Sequence, residues 1–143
     1  MSPLDYQIVD LGINRGPDKP QILVVDDEPA MHSLINDALG ADYRLVNAEN
    51  GQEGIQMAAR LKPDLILMDM MMPDLTGYEA IRQLGLNEQT NQIPVILVTG
   101  RNFNASTVNL LEREKNVAAS INKPFRVKEL RELVKAHLPP KAA

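Results

Sequence analysis

The sequence lacks several residue types on which common active sites depend. It has no cysteine and no tryptophan, and aromatic residues make up only 3% of its 143 residues. The absence of cysteine excludes a disulfide framework, a thiolate zinc site and a catalytic thiol. Because single-stranded nucleic acids stack their bases on aromatic side chains, the low aromatic content also argues against a stacking platform.

Positive charge and long apolar runs are scarce as well. The chain has 15 Lys and Arg residues against 19 Asp and Glu residues, a formal net charge of -4, whereas non-specific nucleic-acid binding needs excess positive charge. No run approaches the roughly 18 apolar residues that would span a bilayer. The N-terminus lacks the basic start and apolar core of a secretion signal. We therefore expect a cytoplasmic protein with no direct nucleic-acid partner and no membrane partner.

The length suits one domain with a single core. Residues 1–20 contain loosely spaced apolar residues and then the breaker-rich segment GINRGPDKP, so we interpret them as an N-terminal extension or linker. We assign the compact domain to residues 21–139 and a C-terminal tail to 140–143. The sequence leaves open whether this domain stands alone or forms part of a larger protein.

Five short apolar runs alternate with segments of helical periodicity. The runs are ILVV (22–25), YRLVNA (43–48), DLILM (64–68), VILV (95–98) and VAASI (117–121). The first, third and fourth are continuous rather than alternating, which is typical of parallel strands buried on both faces. Apolar residues at helical spacing fill the gaps, as in the stripe formed by Met31, Leu34, Ile35, Ala38 and Leu39. This order predicts a doubly wound α/β domain.

Local signals mark the starts of several predicted helices. Pro29 suits the first turn of the first helix, where its missing N–H is not needed. Asn50 with Glu53, and Thr76 with Glu79, have the spacing of capping boxes. These signals set the predicted boundaries between strand-end loops and helices.

Four of the five runs are followed by polar residues that could form a site, whereas the second is followed less informatively by Glu49 and Asn50. The candidate site residues are Asp26 and Asp27 after the first run, Asp69 after the third, Thr99 after the fourth and Lys123 after the fifth. Each of them alone is ordinary turn chemistry. In open parallel sheets, however, ligands bind beyond the carboxyl ends of the strands. We therefore expect three acids, a hydroxyl and an ammonium group to meet at one edge of the sheet.

The predicted acid cluster needs a source of positive charge. Two unit charges about 4 Å apart repel by roughly 4 kcal/mol at an effective dielectric near 20. Lys123 offsets part of this repulsion and a divalent cation offsets more. An all-oxygen site without His or Cys suits Mg²⁺ or Mn²⁺. We expect Asp26, Asp27 and Asp69 to form such a metal site.

Four motifs together resemble the receiver domain of two-component response regulators. They are VVDDEP, DLILMDMMMPDLTG, PVILVTG and NKPF, in this order and spacing. The resemblance covers residues 21 to about 138. It implies a flavodoxin-like fold, (βα)5, with a five-stranded parallel sheet of order 2-1-3-4-5. It also implies a phosphorylation-dependent signalling domain, not an enzyme acting on other molecules. Its phosphodonor would be a histidine kinase or a histidine phosphotransfer protein, and its downstream effector is not identified.

The resemblance also implies a role for each strand-end residue in phosphorylation. Asp69 matches the phosphoacceptor, which would take a phosphoryl group from a phosphohistidine. Thr99 matches the hydroxyl, and Lys123 the ammonium, that meet the phosphoryl oxygens. Ser120, three residues before the lysine, stands where receivers commonly carry Tyr or Phe, so the usual coupling of threonine to an aromatic side chain is not expected.

Metal ligands follow from the same resemblance. Asp27 matches the acid that binds Mg²⁺ directly, and Asp26 matches the one that acts largely through water. Asp69 and the backbone carbonyl of Met71 would complete the protein's ligands. We interpret His32, on the first helix, as a surface residue rather than a phosphodonor.

Three other classes of protein share some of these features. A degenerate receiver acting as a constitutive binding module would usually lack an acid or the lysine, and here all five positions are filled. An aspartate-nucleophile phosphohydrolase typically needs a second acid two residues after the nucleophile, where this chain has Met71. A flavodoxin-like electron carrier would need aromatic stacking partners that are scarce here.

Overall fold

Strands and helices alternate along the chain as the apolar runs predict. The structure, a computed structural model, describes residues 19–70, 77–100 and 105–138. In these ranges the strands are β1 (Gln21–Val25), β2 (Arg44–Ala48), β3 (Leu65–Asp69), β4 (Val95–Thr99) and β5 (Val117–Asn122). The helices are α1 (Pro29–Leu39), α2 (Gly51–Leu61), α3 (Gly77–Leu86), α4 (Ala105–Leu111) and α5 (Val127–His137). Each strand begins and ends within one residue of the run that predicted it.

The strands form one parallel sheet in the order β2-β1-β3-β4-β5. The expected 2-1-3-4-5 order is therefore confirmed. Every residue of β1, β3 and β4 is buried, whereas the edge strands β2 and β5 are partly exposed. The continuous apolar runs mark the central strands because both of their faces are covered.

Helices cover both faces of the sheet and so divide the core into two layers. The layer under α1 and α5 contains the buried helix residues Ile35, Ala38, Leu39, Leu130 and Val134. The layer under α2, α3 and α4 contains Ala58, Ala80, Ile81, Leu84 and Leu111. Successive strand residues point into opposite layers, as Val24 and Val25 do. Leu34 departs from the predicted buried stripe of α1, since it is 39% exposed.

The predicted helix starts can be checked for α1 and α2. Pro29 lies in the first turn of α1. Asn50 Oδ1 accepts the backbone N–H of Glu53 at 2.8 Å, and Glu53 Oε1 accepts the backbone N–H of Glu49 at 2.7 Å. Both side chains therefore satisfy amides at the start of α2. Thr76, in the second predicted capping box, lies outside the described residues.

The ends of the domain stay predictions. Residues 1–18 and 139–143 lie outside the described ranges, and the predicted extension (1–20) and tail (140–143) fall almost entirely within them. Among the helices that the structure describes, none is long and apolar enough to cross a membrane.

Helix α2 approaches β1 closely at Gly54. A Cβ atom at this position would lie 2.8 and 3.0 Å from the two methyl carbons of Val25. An alanine would therefore force α2 or Val25 to shift, and Val25 directly precedes Asp26. We expect Gly54→Ala to lower the free energy of unfolding by about 1–3 kcal/mol, the usual range for overpacking a core. Chemical denaturation measures this change.

Gly85 in α3 provides a matched control for this substitution. A Cβ atom at Gly85 would lie 3.5 Å from the side chain of Asn116, an ordinary contact distance. Alanine is favoured over glycine in helices by about 1 kcal/mol, so we expect Gly85→Ala to leave stability unchanged or raise it. An equal loss in both variants would show that contact with Val25 is not what makes Gly54 necessary.

Candidate metal centre

Three carboxylates meet at the carboxyl edge of the sheet. Asp69 is the last residue of β3, while Asp26 and Asp27 directly follow β1. The neighbouring positions of β1 and β3 bring these acids to one place. One carboxylate oxygen from each of the three lies within 4.8 Å of the other two.

Two of these acids are removed from solvent. Asp26 is 2% exposed and Asp69 is 3% exposed, whereas Asp27 is exposed. Asp26 Oδ1 accepts the backbone N–H of Glu28 at 2.9 Å, which satisfies part of its hydrogen-bonding capacity. A buried carboxylate is costly unless it is paired, and neighbouring carboxylates also repel. The site therefore needs positive charge.

Lys123, which follows β5, supplies positive charge from the protein itself. Its Nζ lies 3.5 Å from Asp26 Oδ2, 3.5 Å from Asp69 Oδ1 and 3.8 Å from Glu28 Oε1. Burial lowers the pKa of Lys123, but the attractions of Asp69, Asp26 and Glu28 outweigh this effect and leave the pKa above its usual value. Lys123 is therefore charged at neutral pH and links the ends of β1, β3 and β5.

Thr99 ends β4, the strand between β3 and β5, and its side chain is fully buried. Its hydroxyl donates to Asn122 Oδ1, and the carbonyl oxygen of Ile121 lies 3.4 Å away as a second acceptor. The backbone N–H of Lys123 donates to the carbonyl of Thr99 at 2.7 Å. The predicted hydroxyl and ammonium groups therefore lie on strand ends that are bonded to each other.

The structure adds His32 to the surroundings of the site. Its ring is half-buried rather than on the open surface, and Nε2 donates to the backbone carbonyl of Asp26 at 2.7 Å. A signal for this contact exists in the sequence. His32 lies in the first turn of α1, close behind Pro29, and helical side chains lean toward the helix N-terminus, which here adjoins Asp26.

Three methionines directly follow Asp69 in the sequence. Met71, whose backbone carbonyl is a predicted ligand, lies outside the described residues, so that ligand stays a prediction. The adjacent Met70 is 6% exposed and belongs to the core layer under α2, α3 and α4. At least this methionine of the MMM stretch has a packing role.

The donor set fits a small divalent cation. Its three side chains offer carboxylate oxygens alone, which Mg²⁺ prefers, and Mg²⁺ retains several waters beside one or two carboxylates. Two oxygens that both bind Mg²⁺ directly at about 2.1 Å are at most about 4.2 Å apart, and small side-chain movements would bring oxygens that lie within 4.8 Å of one another inside this limit. Since Lys123 balances only part of the negative charge, a cation would relieve the remaining repulsion.

Comparison with known families agrees with this geometry. The family model described as the response regulator receiver domain matches residues 22–135. The chain belongs to this family and is a receiver domain of two-component signalling. Receiver domains are signalling modules that occur in both histidine kinases and response regulators.

Two relatives differ in how much of their own length this chain covers. The chain is 44% identical over 80 residues to Protein PilH of Pseudomonas aeruginosa, covering 55% of this chain and 66% of PilH. It is 39% identical over 112 residues to hybrid signal transduction histidine kinase D of Dictyostelium discoideum, covering 78% of this chain but 7% of that protein. The chain thus spans less than two thirds of the length of these relatives.

One solved structure with a similar fold is another receiver domain. It is the receiver domain of a sensor histidine kinase from Pseudomonas aeruginosa, with a magnesium ion coordinated in its active-site cleft. The TM-score is 0.73 at 28% identity, and the match covers 82% of this chain and 96% of that one.

Binding of Mg²⁺ should stabilise the domain. At about 10 mM Mg²⁺ and a Kd between about 0.1 and 1 mM, mass action adds about 1–3 kcal/mol to the free energy of unfolding. We expect a higher melting temperature with Mg²⁺, and Asp27→Ala should remove most of the increase. Asp37→Ala, which removes an exposed carboxylate of α1 outside the cluster, should keep it. A melting curve of the intact chain that Mg²⁺ leaves unchanged would contradict the metal site.

Lys123 should stabilise the metal-free domain up to alkaline pH. Lys123→Met leaves two buried carboxylates without their ammonium partner, so we expect the free energy of unfolding at pH 7 to fall by about 1–3 kcal/mol. The pKa of Lys123 is raised on folding, so this stabilisation is fully present below about pH 10.4, the usual lysine pKa. It disappears as the pH rises through the folded-state pKa.

The measurement is chemical denaturation in EDTA between pH 7 and pH 11. The difference between the intact chain and Lys123→Met should stay constant at first and shrink at the alkaline end. Lys128→Met, on the exposed side of α5, should have little effect at any pH. A difference that grows with rising pH would have the wrong sign for this ion pair.

Proposed function

We propose that this receiver domain accepts a phosphoryl group onto Asp69, with Mg²⁺ bound, from a phosphohistidine of a histidine kinase or histidine phosphotransfer protein. Phosphorylation then changes the surface that a downstream effector recognises. The observation that carries this proposal is a buried carboxylate at a strand end, 3.5 Å from the ammonium of Lys123 and grouped with two further acids.

The proposed step is an in-line displacement at phosphorus. A carboxylate oxygen of Asp69 forms the new O–P bond as the P–N bond to the partner's histidine breaks. The bonding electron pair remains on the imidazole nitrogen, which takes up a proton from solvent. Phosphoryl transfer of this kind depends on positioning and charge stabilisation more than on covalent help from the protein.

The residues around Asp69 suit these needs. Lys123 already lies beside Asp69 Oδ1, so its ammonium would meet a phosphoryl oxygen carried by that residue. The hydroxyl of Thr99 would donate to another phosphoryl oxygen. The fixed backbone pairing of β3, β4 and β5 keeps these groups in register.

A second set of residues would hold Mg²⁺. Asp27 is exposed and would bind directly, while the buried Asp26 would act largely through water. Asp69 and the backbone carbonyl of Met71 would complete the protein's ligands. When bound, Mg²⁺ supplies positive charge that neutralises the phosphoryl oxygens.

The alternative of a constitutive binding module has less support. Such a module has no need to keep two buried acids and a lysine in mutual contact, an arrangement with a cost in stability. The five filled positions favour a domain that catalyses its own phosphorylation and dephosphorylation and acts on no separate substrate.

Phosphorylation by a small donor tests the proposal. With acetyl phosphate and Mg²⁺, the intact chain should gain one acid-stable, base-labile phosphoryl group, detected by mass spectrometry. Asp69→Asn should abolish this gain, because an amide oxygen is a poor nucleophile, while circular dichroism shows an intact fold.

Asp64→Asn is the matched control, since Asp64 precedes β3 at its opposite end and its Oδ2 accepts the backbone N–H of Gln21 at 2.8 Å. This variant should be phosphorylated like the intact chain. A phosphoryl group that maps to any residue other than Asp69, or that persists in Asp69→Asn, would refute the assignment.

A further inference from the structure

The hydroxyl of Thr99 is already engaged in the unphosphorylated domain. It donates to Asn122 Oδ1, and the carbonyl of Ile121 at 3.4 Å is its weaker alternative acceptor. A threonine hydroxyl has a single proton to donate. A phosphoryl oxygen can accept that proton only if the bond to Asn122 is broken.

An irregularity in the sheet brings Asn122 to this position. At the start of the β4–β5 pairing Val95 lies opposite Val117, but the register then shifts by one residue between Val95 and Ile96. Without the shift, Ile121 would face Thr99, whereas in the structure Asn122 does. Register irregularities of this kind often re-aim a side chain near a functional site.

We infer that Asn122 is a positioning residue: its amide oxygen holds the Thr99 hydroxyl in the unphosphorylated domain and competes with the phosphoryl oxygen for the hydroxyl proton. This inference rests on the proposed phosphorylation of Asp69. Asn122 would therefore disfavour phosphorylation, because the energy of its hydrogen bond to Thr99 is lost when the phosphoryl group arrives.

The surroundings of Asn122 allow the Thr99 hydroxyl to leave it for another acceptor. The side chain of Asn122 is exposed, so its release needs no rearrangement of the core. The Ile121 carbonyl can accept the Thr99 hydroxyl whenever the amide is displaced. Lys123 keeps its backbone bond to the Thr99 carbonyl, so the strand ends stay joined while the side chain changes partner.

Ser120 does not accept the hydrogen bond of the Thr99 hydroxyl. Its hydroxyl donates to Glu112 Oε2 at 3.0 Å. Among the described residues, the acceptors within reach of the Thr99 hydroxyl are therefore Asn122 Oδ1 and the carbonyl of Ile121, and not the side chain at position 120. Asn122 is therefore the side chain of β5 whose hydrogen bond changes when the Thr99 hydroxyl changes its acceptor.

Binding of beryllofluoride, a stable mimic of the phosphoryl group on aspartate, tests the inference in the full chain. Affinity is measured in the presence of Mg²⁺ from amide chemical shifts. A neutral hydrogen bond contributes enough to change an equilibrium by about three- to tenfold. We therefore expect Asn122→Ala to bind beryllofluoride about three- to tenfold more tightly than the intact chain, with its affinity for Mg²⁺ alone unchanged.

Substitutions of Thr99 separate competition from a purely structural role. In a Thr99→Ser background, which keeps the hydroxyl, Asn122→Ala should again tighten binding. In a Thr99→Val background, which has no proton to donate, it should have no effect. Unchanged or weaker binding by Asn122→Ala, or equal tightening in the Thr99→Val background, would overturn the inference.

The same experiment distinguishes this inference from the proposed function. If the intact chain binds beryllofluoride at Asp69 and Asn122→Ala behaves identically, only the role of Asn122 fails. If the intact chain binds none and gains no phosphoryl group from acetyl phosphate, the proposed function fails and the role of Asn122 fails with it.

Discussion

Two carboxylates buried side by side, Asp26 and Asp69, set the constraint to which the rest of this domain responds. Carboxylates with 2–3% exposure repel each other and are little screened by water, so they need nearby positive charge. Lys123 reaches both of them from β5, two strands away from β3 in the sheet. The neighbouring Asp27 adds a third carboxylate to the cluster. Lys123 alone does not balance three negative charges, so the cluster also suits a divalent cation.

The scaffold holds these charges together against their repulsion. Every residue of the three central strands is buried, and helices pack on both faces, so the strand ends cannot move apart without disturbing a close-packed core. Gly54 shows how tight this packing is behind Asp26, since even one methyl group would contact Val25 too closely. Hydrophobic burial thus holds together carboxylates that repel one another, and a bound cation would relieve that repulsion.

Much of this arrangement could be predicted from the sequence, for identifiable reasons. Continuous apolar runs predicted the central strands because parallel strands are covered on both faces, and the shared polarity of the strand ends predicted that the acids would meet. The strand order could not come from periodicity and rested on the family resemblance. The contact of His32 with Asp26 depends on how α1 packs. The pairing of Asn122 with Thr99 depends on a register shift that leaves no periodic signal in the sequence.

If a bound cation relieves the repulsion among the acids at the strand ends, Mg²⁺ should affect the free energy of unfolding of Asp69→Asn and of the intact chain differently. In EDTA, the variant should be at least as stable as the intact chain, because it has one buried charge fewer while Lys123 still pairs with Asp26. Added Mg²⁺ should stabilise the intact chain more than the variant, so that the difference in the free energy of unfolding shrinks or reverses. A variant that is clearly less stable in EDTA and gains as much from Mg²⁺ as the intact chain would contradict this account.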